Sequence, residues 1–524
     1  MTSKILSAIP TGYTGEIITI EGDSNRGLPS LSIVGMANKT IDESRDRVRS
    51  AIINSGFAFP TTKVTINLAP AELNKDGPHL DLPIALSILT LSSQLLPSDT
   101  TGKLFVGELS LTGEIKPIRG IINIIETARD HGLKEVIIPA ANLPQASLVH
   151  SITITPVIDL KELFLQLKGS VALSSKNLVA YNDRGNEAKI SPRNSGRDSF
   201  HVQTDKEPEG LSGAVLLDHI RGQPIAKRAL TIAIAGHHNI LLAGPPGAGK
   251  SMLARAALHL LPPLTPEEQI SITKLQSLNG TARTIVTDRP FRSPHHSASR
   301  IALLGGGSKS TPGDISLAHL GVLYLDEIPE FPRAIIESLR GPLEDKSISL
   351  SRANSRVTYP ADFMLIATMN PCPCGFFGSP DRECTCTATQ ILNYQKKLSG
   401  PILDRIDMYL DLPKVDIDEI ILSNTSTTEH ETATQQITTA IHAQHTRYKQ
   451  PVFNSTIPTH QIHDKLNITQ DARTLLQRAA KSLNLSARSY FKTIKVAQTI
   501  ADLENSPEIT PVHISEALQY RKRN

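Results

Sequence analysis

The chain carries 524 residues, with 54 Lys and Arg against 51 Asp and Glu for a formal net charge of +3; such near-neutrality neither requires nor forbids nucleic acid and leaves any phosphate contact to local patches. No apolar run approaches the roughly 18 residues that span a bilayer, and the N-terminus lacks a basic-then-apolar leader, so the sequence reads as cytoplasmic with no membrane partner. Tryptophan is absent and aromatics make up 4%, which leaves the cores to Ile, Leu, Val and Ala and makes base-stacking platforms scarce.

About three domains are expected at this length. Residues 1–168 read as α+β: strands at 15–21, 31–34 and 63–68, a helix opened by the capping box Thr40-Ile-Asp-Glu43, and a helix over 79–89. Ile41, Val48 and Ile52 share one face of the first helix, and 104–115 reads as a hairpin turning at Thr112-Gly113. Over 169–212 the apolar pattern gives way to Ser, Asn, Asp, Arg, Lys and Gly, a flexible linker. Residues 213–413 alternate strands and helices, with buried runs at 322–325 and 363–367 that predict a parallel sheet. The Ser/Thr-rich connecting segment 414–465 yields no clear element. In 466–524, helices start at Thr469, Ser486 and Thr510-Pro511, each behind an N-cap residue, and form a small helical lid.

The strongest chemical signal is Gly244, Pro245, Pro246, Gly247, Ala248, Gly249, Lys250 and Ser251, a P-loop between the apolar strand 239–243 and a helix over 252–260. Its glycines let backbone N–H groups approach phosphates, Lys250 reaches the β and γ oxygens of ATP, and the Ser251 hydroxyl is placed to ligate Mg²⁺. Downstream, Gly321-Val-Leu-Tyr-Leu-Asp-Glu327 is an apolar strand ending in two carboxylates. Asp326 is assigned to Mg²⁺ or its water and Glu327 to polarising the attacking water. Asn370, after the strand 363–368, is placed to bond the γ-phosphate or orient that water.

All four cysteines, Cys372, Cys374, Cys384 and Cys386, fall in one short loop. In a cytosolic chain this favours a tetrahedral Zn²⁺ clip over disulfides, although the Cys-x-Cys spacing is tight and a reduced structural loop is the alternative. Such a metal is structural, because four thiolates leave no open position. His295 and His296 have no carboxylates nearby and read as hydrogen-bonded loop residues.

Pro312-Gly-Asp-Ile-Ser-Leu-Ala-His319, Ala367-Thr-Met-Asn-Pro-Cys-Pro-Cys-Gly375, Leu398-Ser-Gly-Pro-Ile-Leu-Asp-Arg-Ile-Asp407 and Leu485-Ser-Ala-Arg-Ser489 resemble the magnesium-chelatase-like AAA+ ATPases of the YifB/ComM type, over nearly the whole chain. The resemblance implies an α/β AAA+ P-loop NTPase core with a C-terminal helical lid. It makes Arg405 an arginine finger reaching a neighbouring subunit's ATP and Arg488 the lid's phosphate sensor. It therefore implies a homo-oligomeric ring, a hexamer, with an adenine pocket around Ile220-Arg-Gly-Gln223. Salt bridges of Arg405 with Asp404 or Asp407 are the plain alternative. Pore hairpins of such ATPases correspond to the glycine-rich loop 303–312 and the hairpin 346–358. There Lys309, Arg352 and Arg356 are either DNA-phosphate contacts or solvated surface charges.

The N-terminal domain resembles the proteolytic domain of Lon, of the ribosomal S5 domain 2-like type, through Asn74-Lys-Asp-Gly-Pro-His-Leu-Asp81 and Gly113-Glu-Ile-Lys-Pro-Ile-Arg-Gly120. His79 stands where the nucleophilic serine belongs and Ile124 where the base lysine belongs, so no acyl-enzyme can form and the expectation is a scaffold, not a protease. The resemblance implies a helicase driving branch migration of single-stranded or branched DNA during natural transformation and homologous recombination. The rival is a protein-remodelling or metal-chelatase-type ATPase chaperone, whose subunit is expected to lack the Lon-like domain.

Overall fold

The computed structural model describes residues 2–35, 39–73, 75, 77–169, 215–280, 284–307, 310–351, 356–378, 382–414 and 428–521. The linker expected at 169–212 lies outside the described residues beyond Gly169, as do Lys309, Arg352, Asn74, Asp76 and the Ile41 side chain.

Strands in the N-terminal region are β1 (Thr2–Thr11), β2 (Thr14–Asn25), β3 (Ser30–Val34), β4 (Lys63–Ala69), β5 (Lys103–Phe105), β6 (Glu108–Leu109), β7 (Ile115–Lys116), β8 (Glu135–Pro139) and β9 (Thr153–Val157). Seven of them form one mixed sheet in the order β3-β4-β2-β1-β5-β8-β9. Period-two alternation splits β1 and its neighbours between two cores. Ile5, Ile9, Ile18 and Ile20 face the helices Lys39–Asn54 and Asp81–Leu91, with Val48 and Ile52 buried against them. Ala8, Leu104 and Val106 face the helix Ile121–Asp130 on the other side.

The expected hairpin over 104–115 is corrected to a smaller one. Only β6 and β7 pair antiparallel, whereas β5 lies parallel between β1 and β8. Leu104, Phe105 and Val106 are fully buried, so this run behaves as a central strand covered on both faces.

In the second region the strands are β10 (Ile240–Ala243), β11 (Phe291–Arg292), β12 (Gly305–Gly306), β13 (Thr311–Pro312), β14 (Val322–Leu325), β15 (Ser347–Ser351), β16 (Arg356–Pro360), β17 (Met364–Met369) and β18 (Met408–Asp411). Five of them build a wholly parallel sheet, β11-β14-β17-β10-β18. The expected runs are its central strands: every residue of β10, β14 and β17 is buried. Parallel strands place all their C-terminal ends on one edge, and loops leaving that edge form the binding crevice of such folds.

Helices starting behind Thr469, Ser486 and Thr510 are present as Gln470–Ser482, Ala487–Leu503 and Pro511–Gln519. The unassigned Ser/Thr-rich stretch holds a 20-residue helix, Glu429–Tyr448. Its Ala433, Ile437, Ala440, Ile441 and Gln444 are buried at helical spacing, and the apolar ones join the helices Pro224–Gly236 and Ala487–Leu503 in one core.

The helix Pro266–Asn279 faces the N-terminal region. Lys274 pairs with Glu126 and lies 4.1 Å from the Tyr13 ring centroid. Tyr13 Oη is 2.7 Å from Ser271 Oγ, and the Gly120 N–H donates to Ser277 Oγ at 3.0 Å. Leu275 packs with Val357 and Tyr359 of β16, so the hairpin β15–β16, the helix and the β1–β2 turn share one apolar patch.

Candidate active site

The P-loop leaves β10 at the C-terminal edge of the sheet and feeds the helix Lys250–Leu260. Gly247 and Gly249 have φ of +82° and +81°, a conformation that L side chains rarely adopt. Gly244 is required by space, since a Cβ there would come 2.7 Å from the Leu412 carbonyl oxygen.

Side chains expected to act on nucleotide converge here. Lys250 Nζ donates to the carbonyls of Gly244 (2.6 Å) and Pro245 (3.1 Å) and to Asn370 Oδ1 (2.9 Å). Asn370 Nδ2 in turn donates to Glu327 Oε1 at 2.8 Å. Burial pushes the Lys250 ammonium below its ordinary value, opposed by the charges of Asp326 and Glu327. Glu327, two residues past β14, adopts φ +49°, and its N–H donates to Thr368 Oγ1 at 2.9 Å. A non-glycine residue keeps this conformation only where its neighbours hold it there.

Two residues missed in the sequence complete this network. Thr368 Oγ1 donates to Asp326 Oδ1 at 2.5 Å. Tyr324 Oη lies 2.8 Å from Asp326 Oδ1 and 3.1 Å from Ser251 Oγ, bridging the two groups assigned to Mg²⁺. In an all-buried strand neither residue breaks the pattern, so only the position two before Asp326 hints at Tyr324.

The loop Ile220–Gln223 lies beside this crevice: Gln223 Nε2 donates to the Pro413 carbonyl at 2.8 Å, next to the Leu412 that touches Gly244.

Arg405 and Arg488 are not at this edge. Arg405 precedes β18, and its carbonyl accepts from Asn239 Nδ2 (3.1 Å), the residue preceding β10. Its guanidinium donates to the Arg340 and Pro401 carbonyls and pairs with Glu344, not with Asp404 or Asp407. Arg488 reaches the same Glu344 at 4.0 Å. The Glu344 carboxyl is held below its ordinary range by the bonded Arg405. Both arginines therefore sit at the N-terminal ends of strands whose C-terminal ends carry the P-loop. A four-residue strand rises roughly 13 Å, more than a guanidinium spans, so one chain does not bring them to its own Lys250.

The four cysteines form a cluster with all Sγ atoms within 4.8 Å of one another and nearest separations of 3.3–3.6 Å. Zinc–thiolate bonds of about 2.3 Å in a tetrahedron set sulfurs roughly 3.8 Å apart, so the donor set fits Zn²⁺ in type, number and spacing. The loop abuts the P-loop: a Cβ on Gly375 would come 2.9 Å from Pro246 Cδ.

The hairpin β15–β16 is formed as expected, with Arg356 exposed in the pair nearest the turn, opposite Ser351; Arg352 lies outside the described residues. The glycine-rich loop forms the two-residue pair β12–β13, and Lys309 lies outside the described residues. His295 and His296 are exposed, and His295 Nδ1 is 2.7 Å from Ser297 Oγ, as expected of loop histidines. His79 sits in a 3₁₀ turn, Pro78–Leu80, and is 8% exposed; Ile124 is fully buried.

Comparison with known proteins assigns this architecture to a family. Residues 216–420 match the model described as magnesium chelatase, subunit ChlI; residues 20–142 match subunit ChlI of Mg-chelatase, and 427–521 match its C-terminal model. A YifB protein of Salmonella typhimurium, itself uncharacterized, is 39% identical over 513 residues, covering 97% of this chain and 95% of the relative. Competence protein ComM of Haemophilus influenzae is 38% identical over 521 residues, 99% of this chain and 97% of that protein. The magnesium-chelatase 67 kDa subunit of Heliobacterium mobile is 31% identical over 183 residues, 29% of this chain and 27% of that protein. With two relatives matched almost end to end, and the parallel sheet and nucleotide crevice in place, this chain belongs to the YifB/ComM family of magnesium-chelatase-like AAA+ ATPases.

Proposed function

We propose that the chain is an ATP-driven ring motor, a hexamer, that moves branched DNA during natural transformation and homologous recombination. The observation that carries the proposal is the division of the site: a complete phosphate and water-activating network at one sheet edge, and Arg405 with Arg488 at the other. A finger supplied in trans requires at least two copies in head-to-tail contact, and such contacts build a ring where the rotation between copies closes.

Within the site Glu327 polarises the attacking water, Asn370 orients it, Lys250 holds the β and γ oxygens, and the neighbour's arginines meet charge developing on the γ-phosphate. Ser251 and Asp326 would hold Mg²⁺, which would supply Lewis-acid charge to the phosphate oxygens. The helices beyond Thr469 serve as the lid. The four thiolates would hold Zn²⁺, which would supply a structural cross-link beside Pro246. His79 and Ile124 leave the Lon-like N-terminal domain without nucleophile or base, and its role is that of a non-proteolytic scaffold.

The DNA reading rests on the near-complete match to a competence protein, against a match to the chelatase subunit that covers 29% of the chain. The presence of the N-terminal domain no longer separates these readings, because that region itself matches a chelatase-subunit model. The decisive experiment compares wild type with E327Q for ATPase and three-strand branch migration. Loss of a positioned base lowers kcat by about 10²–10⁴-fold with nucleotide binding retained. Wild-type ATPase that ignores single-stranded DNA, with no strand movement, would refute the helicase assignment and favour the remodelling chaperone.

A further inference from the structure

A cleft of about 490 Å³ opens at the N-terminal edge of the sheet, between the helix Arg340–Asp345, the segment before β18 and the helix Ala487–Leu503. Most of its charges are already paired. Lys346 Nζ donates to Asp362 at 2.8 Å, and Lys492 lies 3.6 Å from Asp407 and donates to the Ile406 carbonyl. Asp407 is also fixed by the Asn239 N–H at 3.1 Å. Arg405 and Arg488 instead share Glu344, whose side chain is 51% exposed at the mouth of the cleft. Arg405 is mostly covered, at 11%, so its orientation is set by the fold while its carboxylate partner faces solvent.

A carboxylate meeting two guanidiniums at a solvent-facing mouth offers the oxygen geometry of a phosphoryl group, the other ligand that arginine forks recognise. We propose that Glu344 is a positioning residue that occupies, for Arg405 and Arg488, the place taken during turnover by the γ-phosphate of a neighbouring copy. The inference rests on the interfacial reading above and extends it to a residue outside the expected set. Glu344 keeps both arginines extended toward the mouth when no nucleotide faces them, and it yields because an exposed pair is weak. The exchange replaces one anion by another, so neither guanidinium passes through an uncompensated state. The same competition lowers the affinity of the assembled interface for ATP.

The test is E344Q, which keeps size and removes charge. The ATP concentration for half-maximal turnover, and the protein concentration for half-maximal assembly with a non-hydrolysable ATP analogue, each fall about two- to fivefold, the weight of an exposed ion pair. Thermal unfolding stays at the wild-type midpoint, because the side chain is largely solvated. In an R405A/R488A background the assembly shift disappears, since the competitor has lost both of its partners. Unchanged half-maximal values in E344Q, or a shift that persists in R405A/R488A, overturn the assignment. If R405A alone turns over ATP like wild type at every protein concentration, the interfacial reading fails instead.

Discussion

Tyr324 shows how much one hydroxyl contributes. It stands between Ser251 and Asp326, so the phenol pre-spaces two oxygens that otherwise relax apart in a crevice open to water. Burial pushes its own ionisation far up, which keeps it a neutral donor at any working pH. Y324F keeps the ring packing in β14 and deletes the bridge. The expected result is a several-fold rise in the Mg²⁺ needed for half-maximal ATPase, about 1 kcal/mol for one hydrogen bond. Binding of nucleotide without Mg²⁺ should be unchanged; a titration with identical Mg²⁺ dependence in both proteins would remove Tyr324 from the site. The main acidic and polar residues of the crevice were legible because their spacing around a P-loop is stereotyped. Tyr324, Thr368 and Glu344 were not, since their roles come from contacts made only when distant strands and helices meet.

At the scale of elements, the reading succeeded where a local rule acts and failed where tertiary burial decides. N-caps at Thr469 and Ser486 are visible because their side chains accept from N–H groups three residues on. The helix Glu429–Tyr448 is rich in threonine, a poor helix former, and it is held by the packing of Ala433, Ile437 and Ala440 instead of by propensity. Its i, i+4, i+7 spacing was the available signal. The short run 103–105 was drawn into a hairpin for the opposite reason, since periodicity cannot separate a buried strand from one arm of a turn. The cysteine loop carries a prediction at this scale. A Zn²⁺ held there would brace the P-loop through the packing of this loop on Pro246, so a strong chelator is expected to lower both the unfolding midpoint and ATP binding, and zinc addition to restore them. Purified protein with less than about 0.2 Zn per chain would refute the clip.

Across the whole molecule, the N-terminal region is tied to the ATPase sheet through polar groups in series. The Asp362 N–H donates to His319 Nδ1 at 3.0 Å, His319 Nε2 lies 3.2 Å from Ser271 Oγ, and Ser271 meets Tyr13 of the β1–β2 turn. An imidazole accepting a backbone N–H must be neutral, with its proton on Nε2. Burial lowers the His319 pKa to about 4, outweighing the opposing charges of Asp362 and Glu268. An unfolded histidine titrates near 6.5, so between the two values the unfolded chain binds a proton that the native chain does not. The stability contribution is therefore full above about pH 6.5 and is lost as pH falls toward 4, on the order of 3 kcal/mol. Urea unfolding at pH 7.5 and 4.5 should show this fall, reduced in H319Q; equal slopes for the two proteins would exclude His319 as the titrating group.

The placement of P-loop and arginines on opposite sheet edges has a genetic corollary. In a ring of the proposed kind, a copy that has lost Arg405 still holds its own nucleotide and disables the copy beside it. Such an allele, expressed together with an intact one, poisons mixed assemblies and behaves as dominant, whereas a simple deletion is recessive.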